Sequence, residues 1–251
     1  MGQVTLRMEG NIAVITVASP GRLNAFTRAM RADIGRILAE IQGDPRSAAA
    51  VVTGAGDAFC SGQDLNEARK WDKTTPWVEE FESFARAILS FRKPLVAAVN
   101  GVAAGGGFQM ALLCDSRIGH SEVSMGQPEV KRDLASITGT WLLRRSIGDL
   151  RAREIVLTGR LMDADELVRL GILDAIVPRE KVLECALQKC RALAANPPDS
   201  FARTKTWLYE SISDEISWVF KDASRLHGQG FASGVSQAGA AGFLRLAGNL
   251  V

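Results

Sequence analysis

Lys93-Pro94-Leu95-Val96-Ala97-Ala98-Val99-Asn100-Gly101, running on to Gly105-Gly106-Gly107-Phe108-Gln109, is the stretch on which the reading of the fold turns. Residues Pro94 to Cys114 carry no formal charge, so by length alone they imitate a membrane span. Their content opposes that. The stretch opens on proline, carries Asn100 and Gln109, and holds Gly101, Gly105, Gly106 and Gly107. Each glycine inside a helix costs about 1 kcal/mol relative to alanine. A buried strand (Leu95–Val99), a glycine loop and a buried helix (Gln109–Leu113) account for the sequence better, and the chain is expected neither to span nor to bind a membrane.

Working outward, Ile12, Val14 and Thr16 alternate with Ala13, Ile15 and Val17, which predicts a strand. Ser19-Pro20-Gly21 ends it. Phe26, Met30, Ile34, Ile37, Leu38 and Ile41 recur at helical spacing from about Thr27 until Gly43-Asp44-Pro45. Ala48–Val52 is a short apolar run of the kind found in buried parallel strands, and Thr53 to Gly62 a loop. Residues 66 to 77 are polar and mixed, and a helix follows over about Pro76 to Phe91. Alternation of strand and helix implies right-handed crossovers and a mainly parallel sheet. Beyond this the chain turns helical. Ala152–Leu157 ends at Gly159, Asp163 or Asp165 caps a short helix, Ile172–Val177 reads as a short strand, and residues 180 to 195 as a helix closed by Asn196-Pro197-Pro198. The layout divides into a core over residues 1–190 and a helical region over 191–251 that packs on the core or on a neighbouring subunit.

The 251 residues are 47% hydrophobic and 23% charged, ordinary globular usage, and the net charge of +2 gives no reason to expect nucleic acid as a partner. None of the four cysteines (Cys60, Cys114, Cys185, Cys190) forms a C-x-x-C pair and there are only two histidines, so no metal site is expected. No basic, then apolar leader opens the chain; the expectation is a cytoplasmic protein with reduced, core-filling cysteines. No G-x-S-x-G elbow or Walker sequence is present, and with only His120 and His227 a Ser-His-Asp triad has few bases; each histidine reads as an ordinary surface or core residue. The cluster Gly105-Gly106-Gly107 between an apolar strand and an apolar helix fits two accounts. It is either a tight turn with close helix–strand packing, or a helix start whose unpaired N–H groups meet a developing anion.

Four blocks, in order, resemble the crotonase (enoyl-CoA hydratase/isomerase) family. They are Val51 to Leu65 (VVTGAGDAFCSGQDL), Lys93 to Gly107, Gly126-Gln127-Pro128-Glu129, and Leu157-Thr158-Gly159-Arg160. The resemblance implies an α/β fold, a spiral of four ββα-like turns followed by a C-terminal helical trimerisation region, assembled as a homotrimer or dimer of trimers. It implies an acyl-CoA thioester substrate and no cofactor, coenzyme A being part of the substrate. The N–H groups of Gln63 and Gly106 would form an oxyanion hole. The backbone of Ser61 to Asn66, with Gly62, Asp64 and Leu65 among them, would grip CoA, and Arg22 and Leu23 would line the adenine side. Hydratases of the family use two acids. One is here, Glu129; the other is replaced by Gln109, a substrate-facing amide that cannot exchange a proton at neutral pH. The departure favours double-bond isomerisation with Glu129 as acid/base over hydration. Asp133 is a second-acid candidate. Ala135-Ser136-Ile137-Thr138-Gly139 departs from the Pro- and Gly-rich loop common in hydratases. Hydration, thioester hydrolysis and a non-catalytic acyl-CoA-binding role are the alternatives.

Overall fold

The computed structural model describes residues 2–72 and 74–232. In chain order, β1 (Gln3–Glu9) and β2 (Ile12–Ala18) form a hairpin, and α1 (Arg28–Gly43) leads to β3 (Ala49–Gly54) and β4 (Ala58–Cys60). Helices α2 (Leu65–Ala68) and α3 (Trp77–Leu89) precede β5 (Leu95–Ala98), β6 (Val102–Ala104) and α4 (Gly106–Leu113). Then come β7 (Ser116–Gly119), β8 (Ser124–Gly126), a 3₁₀ turn (Glu129–Arg132), α5 (Ile137–Ile147) and α6 (Asp149–Thr158). Strand β9 (Leu161–Asp163), α7 (Ala164–Arg169) and β10 (Ala175–Ile176) follow, and α8 (Val182–Ala194), α9 (Pro198–Glu210) and α10 (Ser213–Ala232) complete the described chain.

The strands divide between a six-stranded sheet, β1-β2-β3-β5-β7-β10, and a four-stranded sheet, β4-β6-β8-β9. Successive strand pairs β3/β4, β5/β6 and β7/β8 each place one strand in each sheet; helices carry the chain back to the larger sheet after β4 and β6, whereas after β8 they lead to β9 in the smaller one. That repetition is the ββα spiral. All pairings are parallel except β1–β2 and β8–β9. The alternation read in residues 12–17 has a structural meaning on both sides. Ala13, Ile15 and Val17 face the main core with α1 and α3, whereas Ile12 and Val14 face a second cluster closed by Val182, Ala186, Leu187 and Cys190 of α8. The latter helix runs through the boundary drawn at residue 190, and the helical region's last part, residues 233–251, lies outside the described residues.

Several boundaries differ from those expected. Strand β1 lies outside the expected elements although Val4, Leu6 and Met8 alternate with polar residues; Leu6 and Met8 are exposed, and the strand is held by its backbone pairing with β2 and by Val4 against the core. Helix α4 starts at Gly106 rather than Gln109, with Gly105 at φ +53° as its cap, so the second and third glycines lie inside the helix. The polar stretch 66–77 hides α2 and a buried Trp71. Among the described residues no helix is long and apolar enough to cross a membrane, and no cluster of His, Cys, Asp and Glu is able to hold a metal ion.

Two asparagines lock the passage from β3 to β4. Asn100 Nδ2 donates to the carbonyls of Gly54, Gly56 and Ala58 while its Oδ1 accepts from Gly54 N–H at 3.1 Å. Asn24 Nδ2 donates to Ala55 O (2.8 Å) and Ala58 O (2.7 Å). Backbone carbonyls of a tight crossing thus find partners that no ladder provides. Where β4 ends is thereby fixed, and with it the loop that follows.

One buried group is poorly served. Arg31 on α1 is 1% exposed, and its Nε and both Nη atoms have no hydrogen-bond partner among the described residues. Its guanidinium lies over the rings of Phe26 (5.4 Å) and Phe81 (5.8 Å), and 4.0 Å from Glu80, which is already paired bidentately with Arg28. Burial pushes its pKa down to about 10. Replacing a buried charge by an apolar side chain of similar volume is often neutral or stabilising. Arg31→Met should therefore leave Tm unchanged or raise it by about 2–4 °C, the equivalent of about 1 kcal/mol in a chain of this size. Thermal unfolding followed by circular dichroism checks this; a clear fall in Tm would show that the cation contributes net stability.

Candidate active site

A pocket opens where the loop after β4, the start of α4 and the segment 129–138 converge, with α3 and α10 closing the far side. The loop residue Gln63 bridges Phe26 in parallel fashion: Phe26 N–H donates to Gly62 O (2.9 Å) and Asp64 N–H to Phe26 O (3.0 Å). The Gln63 N–H therefore points to the opposite side, and it has no acceptor among the described residues. Gly106, first residue of α4, likewise has an N–H with no intrahelical partner. The two are neighbours. A Cβ at Gly62 would fall 3.1 Å from Gly106 N and 2.7 Å from Ala104 O, and Gly62 has φ +95°, so only glycine suits this approach.

Glu129 sits across from them. Its Oε1 lies 3.0 Å from where a Gly105 Cβ would be, one residue before Gly106. Burial pushes its carboxyl pKa up to about 7, with its own backbone N–H, the Arg132 charge and the Ser136 hydroxyl acting the other way. The fully buried Gln127, with its carboxamide nitrogen turned toward Glu129, donates to both carboxylate oxygens at 2.9 and 2.6 Å, which also favours the ionised form. Gly139 makes room for this: a Cβ there would lie 2.4 Å from the Gln127 carboxamide carbon. Gln109 is buried in the same wall, accepts from Thr138 Oγ1 at 2.8 Å, and has its Nε2 3.4 Å from the Gln127 carboxamide.

The structure brings together Ser61, Gly62, Gln63, Leu65, Gly106, Gln109 and Glu129 as pocket lining. It does not bring in the other expected residues. The Asp64 carboxylate caps α2, accepting from Asn66 N–H (2.8 Å), and pairs with the Arg22 guanidinium. Asn66 lies on α2 outside the lining, and Leu23 is a 61% exposed loop residue at φ +47°. Asp133, the second-acid candidate, is exposed, outside the pocket lining, and ends the 3₁₀ turn at φ +52°.

Reasoning from sequence missed the far wall. Phe26, Trp71, Trp77, Phe81 and His227 line it, together with Arg132 nearer Glu129. His227, expected to be an ordinary residue, reaches the pocket from α10 and is held neutral, its pKa pushed down by burial to about 4. The available signal was two tryptophans six residues apart in an otherwise polar stretch. The cysteines are all free, with Cys60, Cys114 and Cys190 buried.

The raised Glu129 pKa has a consequence for stability. Below pH 4.5 the carboxyl is protonated whether the chain is folded or not; between 4.5 and about 7 the unfolded chain loses its proton first, so stability falls as pH rises. Glu129→Gln lacks this linkage. Its Tm advantage over the native protein should grow from pH 4.5 to 7 and then level off, and a pH-independent difference would contradict the burial of this carboxyl. Gln127→Leu, which removes the donors, should move the Glu129 pKa further up, as read by NMR titration.

A sequence model of the family described as enoyl-CoA hydratase/isomerase matches residues 7–246. Among curated relatives, the mevalonyl-coenzyme A hydratase of Aspergillus fumigatus is 31% identical, covering 90% of this chain and 87% of its own. The (E)-benzylidenesuccinyl-CoA hydratase of Thauera aromatica is 33% identical over 80% of each chain. The enoyl-CoA hydratase of Bacillus anthracis superposes with TM-score 0.78 at 28% identity, covering 90% of both chains. An enoyl-CoA hydratase/isomerase of Mycobacterium paratuberculosis reaches TM-score 0.86, with 95% of this chain and 97% of that one covered; at 23% identity it speaks for the fold alone. Spiral, pocket and sequence agree: the chain belongs to the enoyl-CoA hydratase/isomerase family.

Proposed function

We propose that the protein isomerises a 3-enoyl-CoA to the conjugated 2-enoyl-CoA, with Glu129 carrying one proton from C2 to C4. The observation that carries this is the solitary carboxylate: among the described residues lining the pocket, Glu129 is the one acid, and Gln109 presents an amide. The thioester oxygen accepts from Gln63 N–H and Gly106 N–H. Glu129 removes the C2 proton, the electron pair moves to that oxygen as an enolate, and the same carboxyl returns the proton at C4 as the double bond shifts. No water, oxidant or cofactor enters the balance, and coenzyme A arrives as part of the substrate. A carboxylate whose pKa is raised toward 7 is a stronger base than a solvated one and remains ionised in part at neutral pH. Two oriented N–H donors in a water-poor pocket stabilise the enolate, each typically worth about 10²–10³ in rate. On the CoA side, Ser61 to Gln63 and Leu65 hold the pantetheine end, and the Arg22–Asp64 pair braces that loop.

Hydration is the second reading, favoured by the names of the relatives, several of which are called hydratases. It needs a water activated on one side and a proton supplied at C2, so two exchanging groups serve it better than one. Matched 3-enoyl- and 2-enoyl-CoA thioesters, with products separated by chromatography, distinguish the two. The native protein should interconvert the double-bond isomers and form little 3-hydroxyacyl-CoA. Gln109→Glu should raise hydration by about tenfold or more, part of the usual general acid–base contribution of about 10²–10⁴. Rapid native hydration that Gln109→Ala leaves unchanged would overturn the isomerase reading.

A further inference from the structure

The two walls of the pocket differ in kind. On one, Gln109 accepts from Thr138 and Gln127 donates to Glu129, two hydrogen-bonded polar pairs side by side. The other is built from rings. Trp71 and Trp77 stack with centroids 5.3 Å apart and planes 18° from parallel, and Trp77 meets His227 edge-on at 4.6 Å and 64°. Phe81 and Phe26 continue the wall to the oxyanion-hole glycine: Phe26 Cζ and Phe81 Cε2 lie 2.9 and 3.4 Å from where a Gly106 Cβ would be.

These rings come from distant parts of the chain. Phe26 precedes α1, Trp71 follows α2, Trp77 and Phe81 belong to α3, and His227 to α10. Aromatic residues make up only 6% of the sequence, and two of its five tryptophans stand in this one wall. Their positions are also braced from behind. Arg31 lies over the far side of Phe26 and Phe81 at 5.4 and 5.8 Å, and Phe84 touches both rings at 5.7 Å. Trp71 itself is 6% exposed. An alkyl chain gains from such a wall only the burial of its surface. A flat ring gains that and the offset-stacked or edge-to-face contact besides. Large, braced rings leave little freedom to close around a flexible chain, so fit to a planar group carries little further ordering cost.

We propose that Trp71, Trp77, Phe81 and His227 form the receptor for a planar aromatic acyl terminus, so that the substrate is an aryl-substituted enoyl-CoA rather than a straight-chain one. This rests on the acyl-CoA reading above and adds the class of acyl group. The polar wall holds the reacting carbons against Glu129, and the ring beyond them packs on Trp77. His227 supplies an uncharged edge, since burial keeps its imidazole neutral at physiological pH.

The test separates binding from turnover. Isothermal titration of the whole protein with 4-phenylbutyryl-CoA and with decanoyl-CoA compares two saturated thioesters of equal acyl carbon count that undergo no isomerisation. The aryl thioester should bind about tenfold more tightly, the scale of one to two aromatic contacts. In Trp77→Leu that preference should fall to about one. Trp71→Leu serves in parallel, so that misfolding of either variant, detected by circular dichroism, leaves the other to decide. Equal or tighter binding of decanoyl-CoA, or a preference that survives both substitutions, overturns the aryl assignment while the acyl-CoA reading stands. If neither thioester binds, the acyl-CoA reading falls and the aryl proposal falls with it.

Discussion

Everything in the pocket depends on two backbone donors, the Gln63 and Gly106 N–H groups, that the folded chain leaves unpaired beside a carboxyl. A buried donor or acceptor without a partner costs about 1–3 kcal/mol, so folded chains seldom leave one. Here the Gln63 and Gly106 N–H groups face the same space and a carboxyl lies opposite, held near neutrality by its surroundings. Such an arrangement stays in place only if its supports are stiff. The parallel bridge to Phe26 fixes the Gln63 peptide, Gly62 permits the close approach to α4, and Asn24 and Asn100 hold the turn from which β4 departs. None of these contacts is itself chemical, yet each sets where the reacting atoms would lie.

The spiral topology explains why a pocket forms there at all. Each turn sends one strand to each sheet, so the loops after β4 and β6 emerge beside one another although more than forty residues separate them. The next turn, after β8, delivers Glu129 to the same place. Helices α3 and α10 then close the far side with Phe81, Trp77 and His227, and α10 does so by packing on its own chain through Ile216, Phe220 and Ala223.

What could be read from sequence was what is local. Alternation in residues 12–17 gave β2 and both of its faces; the apolar period from Met30 to Ile41 gave α1; the glycine cluster and the Gln-Pro-Glu motif marked two edges of the pocket. What escaped needed three-dimensional convergence. The role of the Asp64 side chain, capping α2 and pairing with Arg22, was not legible, because an aspartate in a loop gives no local sign of which backbone N–H it will accept from. Gly139 gave no hint that it makes room for the Gln127 carboxamide, and Trp71 and His227, 156 positions apart, meet the same cavity with no sequence pattern to join them. Strand β1 carries an alternation, Val4, Leu6 and Met8, that could have been read; its apolar side is mostly exposed, so nothing nearby reinforced it.

The central claim is that Glu129 moves a carbon-bound proton next to a thioester held by two backbone donors. Exchange of the C2 protons of a bound saturated acyl-CoA with deuterated water, followed by NMR, isolates that step without knowledge of the physiological acyl group. Glu129→Gln keeps the size and hydrogen bonding of the side chain and removes the base, so exchange should slow by about 10²–10⁴ while acyl-CoA affinity stays within a few-fold of the native protein. Exchange as fast in Glu129→Gln as in the native protein would place the base elsewhere and contradict the account.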